Sequence, residues 1–292
     1  MTPETALSRV ARVPSELPPL PEPLPGPVVD THCHLDATEE FSGLPPRDAL
    51  EQANAVNVRR LVQVGCDVES SRWAVEAARR WDNVVASVAM HPNDAARSGS
   101  QLPAALTEIE RLVAEPQVRG VGETGLDFYR TRDAAGQQIQ RDSFAAHIGL
   151  AKRYDKTLVI HDRDAHHAIL DVLDAEGAPD RIVMHCFSGD ASFARECLDR
   201  GAHLSFAGTV TFKANQHLRD ALRLTPRDRI VVETDAPYLT PMPLRGRPNA
   251  SYLIPHTARF MAEVLGVELG ELCAALDANA DSAFGGRWGW AS

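Results

Sequence analysis

Eight short apolar runs, rich in β-branched residues, recur along the chain, and longer amphipathic segments separate them. The runs are VVDTHC (28–33), RRLVQVG (59–65), VVASVAM (84–90), RGVGE (119–123), TLVIH (157–161), RIVMHC (181–186), HLSFAG (203–208) and RIVVETD (229–235). The intervening stretches, such as 69–81, 101–115, 137–155, 164–176 and 191–201, place apolar residues at helical spacing, and the last ends on Gly201 at a helix C-terminus. Strands that are apolar on both faces must be covered on both faces, which here is the work of the helices, so the pattern predicts a parallel sheet. Eight such units over about 260 residues match an α/β fold of the TIM (β/α)8 barrel type. A doubly wound open sheet shares the rhythm but carries a glycine-rich phosphate turn after its first strand. Here the first strand ends in HCH.

Composition narrows the function classes. The chain has 292 residues, of which 44% are hydrophobic, enough for one large core. No apolar run approaches the roughly 18–20 residues that span a bilayer, and no signal-peptide core is evident, so a cytoplasmic protein with no membrane partner is expected. Five cysteines, none in CxxC spacing, fit a reducing compartment. The net charge of -10 excludes a broadly basic nucleic-acid-binding chain but not a local positive groove. Residues 1–27 hold eight of the 20 prolines. They are expected to be extended or disordered, as a solvated tail or alternatively a surface strap, ahead of a single domain over 28–292. A barrel of that size can fold alone, which makes a monomer without an obligate protein partner the expectation.

Polar residues cluster where a barrel's chemistry sits, at the C-terminal ends of its strands. His32 and His34 end the first run, His91 follows the third, Glu123 ends the fourth, His161 the fifth, His185 the sixth and Asp235 the eighth. Five of the eleven histidines are placed this way. Four histidines with Glu and Asp, converging on one rim, would make a binuclear metal site, with imidazole and carboxylate suiting Zn, Mn or Fe and carboxylate and water also suiting Mg. Glu233 lies two residues before Asp235 on the same strand face, so either could ligate or Glu233 could sit a layer below. Asp30 shares the face of His32 and His34 by alternation and is expected to support a ligating imidazole. Cys33 faces the other way, as core. His166 and His167 read as ordinary helix surface.

Five motifs in order, VVDTHCHLD, GETGLDFYR, VIHDRDA, HCFSG and ETDAPYL, resemble those of the TatD family of metal-dependent deoxyribonucleases, a branch of the amidohydrolase-like hydrolases. The resemblance implies a TIM barrel and a phosphodiesterase acting on DNA with two divalent ions (Mg, Zn or Mn). Carried over motif by motif, His32 and His34 would bind one ion, Glu123 would bridge both, and His161 and His185 would bind the second. Asp235 would ligate the first ion and hold the attacking water, making it catalytic with Glu123 and His91. His91 and Arg163 would face the scissile phosphate. Two departures stand out. The family's HPH is His91-Pro92-Asn93 here, and its RGxRNEP-like run is RGRPNAS, without the glutamate.

The chemistry follows from the constellation. A divalent ion lowers the pKa of a coordinated water towards neutrality, Asp235 can accept the proton, and attack at phosphorus follows in line. Arg130, Lys213, Arg245 and Arg247 are candidates to track a nucleic-acid backbone, and Tyr129, Phe187 and Tyr238 to stack on bases. The same site could hydrolyse amides or aminoacyl-tRNA esters. A non-catalytic metal-binding scaffold is the reading from another class.

Overall fold

The computed structural model describes residues 16–289. Eight parallel strands form one sheet in sequential order: β1 (Val28–Cys33), β2 (Val58–Gly65), β3 (Val84–Val88), β4 (Val118–Asp127), β5 (Thr157–Arg163), β6 (Ile182–Met184), β7 (His203–Phe206) and β8 (Ile230–Val232). Helices alternate with them, so the fold is the expected (β/α)8 barrel. The seam between β1 and β8 is closed mostly beyond β8's end. There Asp235 N donates to His32 O at 2.9 Å and His34 N to Ala236 O at 3.0 Å. Thr31 Oγ1 adds a bond to Val232 O at 3.0 Å.

Two cores follow from the period-2 geometry of the strands. Val29, Val62, Val64, Val85, Val159, Val183 and Val231 pack together as the barrel interior, and Ala280, Ala283, Phe284 and Trp288 from the C-terminal helix and its tail plug the bottom. The alternate strand residues, Leu61, Ala86, Val121, Leu158 and Leu204 among them, face the helices. Along β8 and the residues that follow it, the inner series runs Val231, Glu233, Asp235, from the valine layer to the rim.

The strand boundaries differ from expectation in a way that bears on the site. β6 and β8 are shorter, so His185 and Asp235 lie just past their strands. β4 and β5 are longer, because Thr124–Asp127 pair with Ile160–Arg163 above the barrel. Glu123 therefore sits inside β4 rather than at its exit, within a register irregularity between Val121 and Thr124.

Residues 16–27 form a strap rather than a solvated tail; residues 1–15 of the proline-rich segment lie outside the described residues. Proline cannot join a ladder, so side chains hold the strap by its carbonyls. Arg247 Nη2 donates to Glu16 O and Leu17 O, Tyr252 Oη to Pro18 O, and Arg259 Nη2 to Glu22 O and Pro23 O. Leu24 is buried and its backbone is bonded on both sides, to Val56 O and Asn57 Nδ2.

Candidate metal centre

The expected residues His32, His34, His91, Glu123, His161, His185 and Asp235 converge at the C-terminal mouth, with Glu123 at the middle. One Glu123 oxygen, Oε1, lies 2.5 Å from His161 Nδ1, 3.4 Å from His185 Nε2 and 3.6 Å from His91 Nε2. The other, Oε2, lies 3.5 Å from His32 Nε2. Asp235 Oδ1 faces the opposite side of the cluster, 3.5 Å from His34 Nε2 and 3.9 Å from His32 Nε2.

Glycine makes this approach feasible. A Cβ on Gly122 would stand 2.4 Å from Val159 O, and one on Gly125, whose φ is +138°, would stand 2.1 Å from His161 O. The GETG motif thus lets the Glu123 segment lie directly against the strand that carries His161.

Several ring nitrogens end without hydrogen-bond partners although they are buried: both of His32, Nε2 of His161 and Nδ1 of His185 by strict geometry, though this last lies 2.9 Å from Glu233 Oε1. At that distance His185 and Glu233 are paired. Orphaned imidazole nitrogens around a buried carboxylate, Glu123, and a partly buried one, Asp235, are costly without a partner and are the donor set a divalent cation takes. Three overlapping groups have ligand atoms within 4.8 Å of one another: His32–His185–Asp235, His32–His34–Glu123 and His91–Glu123–His161. His32 and Glu123 each belong to two of them, and the donor set fits a divalent cation.

The electrostatics agree. Burial alone would push the Glu123 carboxyl up, but His185, His91 and His161 outweigh it and hold it well below the usual range. Asp235 is likewise lowered: burial opposes, and His34, His185 and His32 prevail. In turn, against burial, Asp235 lifts His34 to about 9, Glu123 and Asp127 lift His161 to about 9, and Glu233 and Glu123 hold His185 well above its ordinary value. Burial and the adjacent His185, whose ring stacks on it at 3.5 Å between centroids, lower His32. The carboxylates draw protons onto imidazoles, and divalent cations at the same positions would displace them.

His91 is different. Burial depresses it to about 3, and its Nδ1 accepts from Asn93 N at 3.2 Å. That bond places the proton of the neutral ring on Nε2, which faces Glu123 Oε1 at 3.6 Å.

Outer contacts orient the inner residues. Glu233, fully buried, accepts from Cys186 N at 2.9 Å and stands behind His185, with its Oε1 2.9 Å from His185 Nδ1. His34 Nδ1 is anchored on Val64 O at 2.9 Å. Asp127 reaches to 3.5 Å from His161 Nε2 and is itself held by Asn93 Nδ2 at 2.7 Å. Asp127 and Asn93 were missed in the sequence, where Asn93 registered only as a departure from HPH; a second carboxylate four residues after Glu123 was the available signal. Cys66 was missed too, with Sγ 3.8 Å from Glu123 Oε2.

Some expectations need correction. Asp30 does not touch an imidazole. β1 has a register irregularity between Asp30 and Cys33, so simple alternation fails. Asp30 instead accepts from Thr234 N, Thr234 Oγ1 and His32 N, tying the backbones that present His32 and Asp235. Phe187 is buried against Phe193 and Phe206 and is unavailable for stacking. The Arg247 guanidinium is engaged by the strap. Tyr129 and Tyr238 are about half exposed at the mouth, at 47% and 53%. Arg163 stands over the Tyr129 ring at 4.1 Å. Arg130, Lys213 and Arg245 are exposed. His166 bonds Asp162 at 2.6 Å and stacks on Phe193.

Comparisons with known proteins point one way. A family model described as TatD related DNase matches residues 29–285. A Mycobacterium tuberculosis protein named as an uncharacterized metal-dependent hydrolase, TatD, is 46% identical over 265 residues, covering 89% of this chain and 99% of the relative. A Bacillus subtilis protein named as an uncharacterized metal-dependent hydrolase, YabD, is 35% identical, covering 87% and 98%. Among solved structures, the Escherichia coli TatD homologue YJJV superposes with a TM-score of 0.81 at 25% identity, covering 88% of this chain and 98% of that one. Among the described residues, no helix is long and apolar enough to cross a membrane.

Proposed function

This chain belongs to the TatD family of metal-dependent hydrolases within the amidohydrolase-like superfamily, and we propose that it hydrolyses phosphodiester bonds of DNA using two divalent ions. The observation that carries the reading is Glu123, one carboxylate with four imidazoles around its two oxygens. In this reading His32, His34 and Asp235 hold one ion, His161 and His185 the other, and Glu123 bridges them. When bound, such ions supply an acidified water and offset charge on the phosphate oxygens.

The chain's own residues do the rest. Asp235, lowered and ionised, is placed to accept the water's proton. His91 donates a neutral N–H to a phosphate oxygen, and the polarity of that bond is set by Asn93. Arg163 brings a positive charge to the mouth and lies over the half-exposed Tyr129 ring, so that guanidinium and ring together form a surface for a base to stack against.

The test is hydrolysis of end-labelled single- and double-stranded DNA over Mg, Mn and Zn, beside ester, amide and aminoacyl-tRNA substrates. DNA cleavage that requires cation supports the reading. Intact DNA with turnover of an amide or ester would replace it with the amidohydrolase chemistry. Stoichiometric metal with no turnover of anything would leave a scaffold.

A further inference from the structure

Three consecutive strands enter the barrel floor with a cation each. Arg119 follows the first residue of β4, Lys156 precedes β5 and Arg181 precedes β6. They line one cavity of about 300 Å³ together with Asp155, Phe284 and Gly285, at the end of the barrel opposite the metal centre. Three cations face one carboxylate there, and Asp155 is itself 80% exposed. This is a concentrated positive site on a chain whose net charge is -10.

Local structure explains part of each side chain. Arg119 Nη1 donates to Gly285 O at 2.8 Å, finishing the C-terminal helix. Lys156 Nζ donates to Val118 O at 2.7 Å, and Arg181 Nη2 to Asp155 Oδ1 at 2.7 Å. None of these bonds needs the other two cations nearby. Burial and then Arg119 hold the Lys156 ammonium below its ordinary range, with Asp155 only partly compensating. Arg181 Nε is buried with no acceptor. Like charges kept together are relieved by an anion with several acceptor oxygens.

We propose that this cavity binds a phosphate group, as inorganic phosphate or as a phosphate monoester, independently of the catalytic mouth. A tetrahedral oxyanion can accept from a planar guanidinium fork and from an ammonium at once, which suits the Arg–Lys–Arg set better than a single carboxylate would. The cavity is wide enough to leave room for an ester substituent.

The full-length protein is titrated calorimetrically with inorganic phosphate and with a nucleoside 5′-monophosphate at constant ionic strength, against sodium chloride. Hydrogen exchange with and without phosphate locates the binding. Expected are saturable binding, protection of amides in 154–158 and 283–287, and a loss of affinity of about tenfold or more in Lys156→Gln. Tighter binding of the nucleotide would assign the site to an ester, and equal binding to the free ion. If Lys156→Gln does not fold, Arg181→Gln and the wild-type exchange pattern decide. Absence of binding, unchanged affinity in the folded variants, or protection confined to segments around His91 and Arg163 would overturn the proposal. None of these outcomes depends on whether DNA is the substrate.

Discussion

Replacing Glu233 tests the layered construction of the centre most sharply. Its Oε1 serves both Cys186 N and His185 Nδ1 at 2.9 Å, while Oε2 is buried without a partner. Glu233→Gln keeps an oxygen for both donors, removes the charge and puts an amide nitrogen in place of Oε2. Glu233→Ala also frees the His185 ring to rotate. Loss of a partner behind a metal-binding histidine costs about 10–100-fold in metal affinity. The glutamine variant is expected near the lower end of that range, and the alanine variant near the upper end, or about 3 kcal/mol. Calorimetric titration with Zn or Mn measures this, with circular dichroism to verify folding. Asp235→Ala serves as the reference for loss of a residue proposed as a direct ligand and should be worse than either. If Glu233→Ala binds metal like the wild type, the backing role is wrong. If it is more damaging than Asp235→Ala, Glu233 is itself a ligand and the layers are misassigned.

Four further outcomes are expected. Glu123→Ala abolishes DNA hydrolysis while the far-ultraviolet circular dichroism is retained; full activity would remove the bridge. Tyr129→Ala weakens single-stranded DNA binding by about 1–3 kcal/mol, read as a higher KM, whereas Phe187→Ala acts through stability because that ring is buried. Leu24→Ala destabilises by about 2–4 kcal/mol in denaturant melts, because the strap is packed structure; an unchanged midpoint would mean the strap contributes nothing. His147 is buried, with Nε2 accepting from Met90 N and Nδ1 donating to Ser143 O, and burial lowers it from 6.5 to about 4. The folded state therefore binds fewer protons than the unfolded one. Stability is retained above the unfolded value and falls as pH drops through 6.5 towards 4, by about 3 kcal/mol in all. His147→Gln should flatten that part of the stability–pH curve, and an unchanged slope would assign it elsewhere.

The barrel and most of the mouth were readable in the sequence because both are carried by periodicity. Apolar runs fix where strands lie, and a strand end fixes where a polar residue points, so His32, His34, His161, His185 and Asp235 needed no knowledge of packing to be brought together. What stayed hidden depends on departures from that period. Alternation put Asp30 on the face of the histidines, but the irregularity in β1 turned it to the backbone of Thr234. The same kind of irregularity puts Glu123 inside β4 and still aims it at the centre. Asn93 and Asp127 lie 34 residues apart, and only the fold reveals their bond. That bond gives the Asn93 departure a physical meaning. A histidine there would meet the Asp127 carboxylate as a second ring, and as a cation when protonated. The neutral amide positions Asp127 without adding charge beside His161. Asn93→His is therefore the substitution that asks whether this chain needs a neutral residue there. If Asp127 matters only as a hydrogen-bond acceptor, the variant keeps its metal affinity; if its full charge is needed to keep His161 basic, affinity for the ion shared with Glu123 falls.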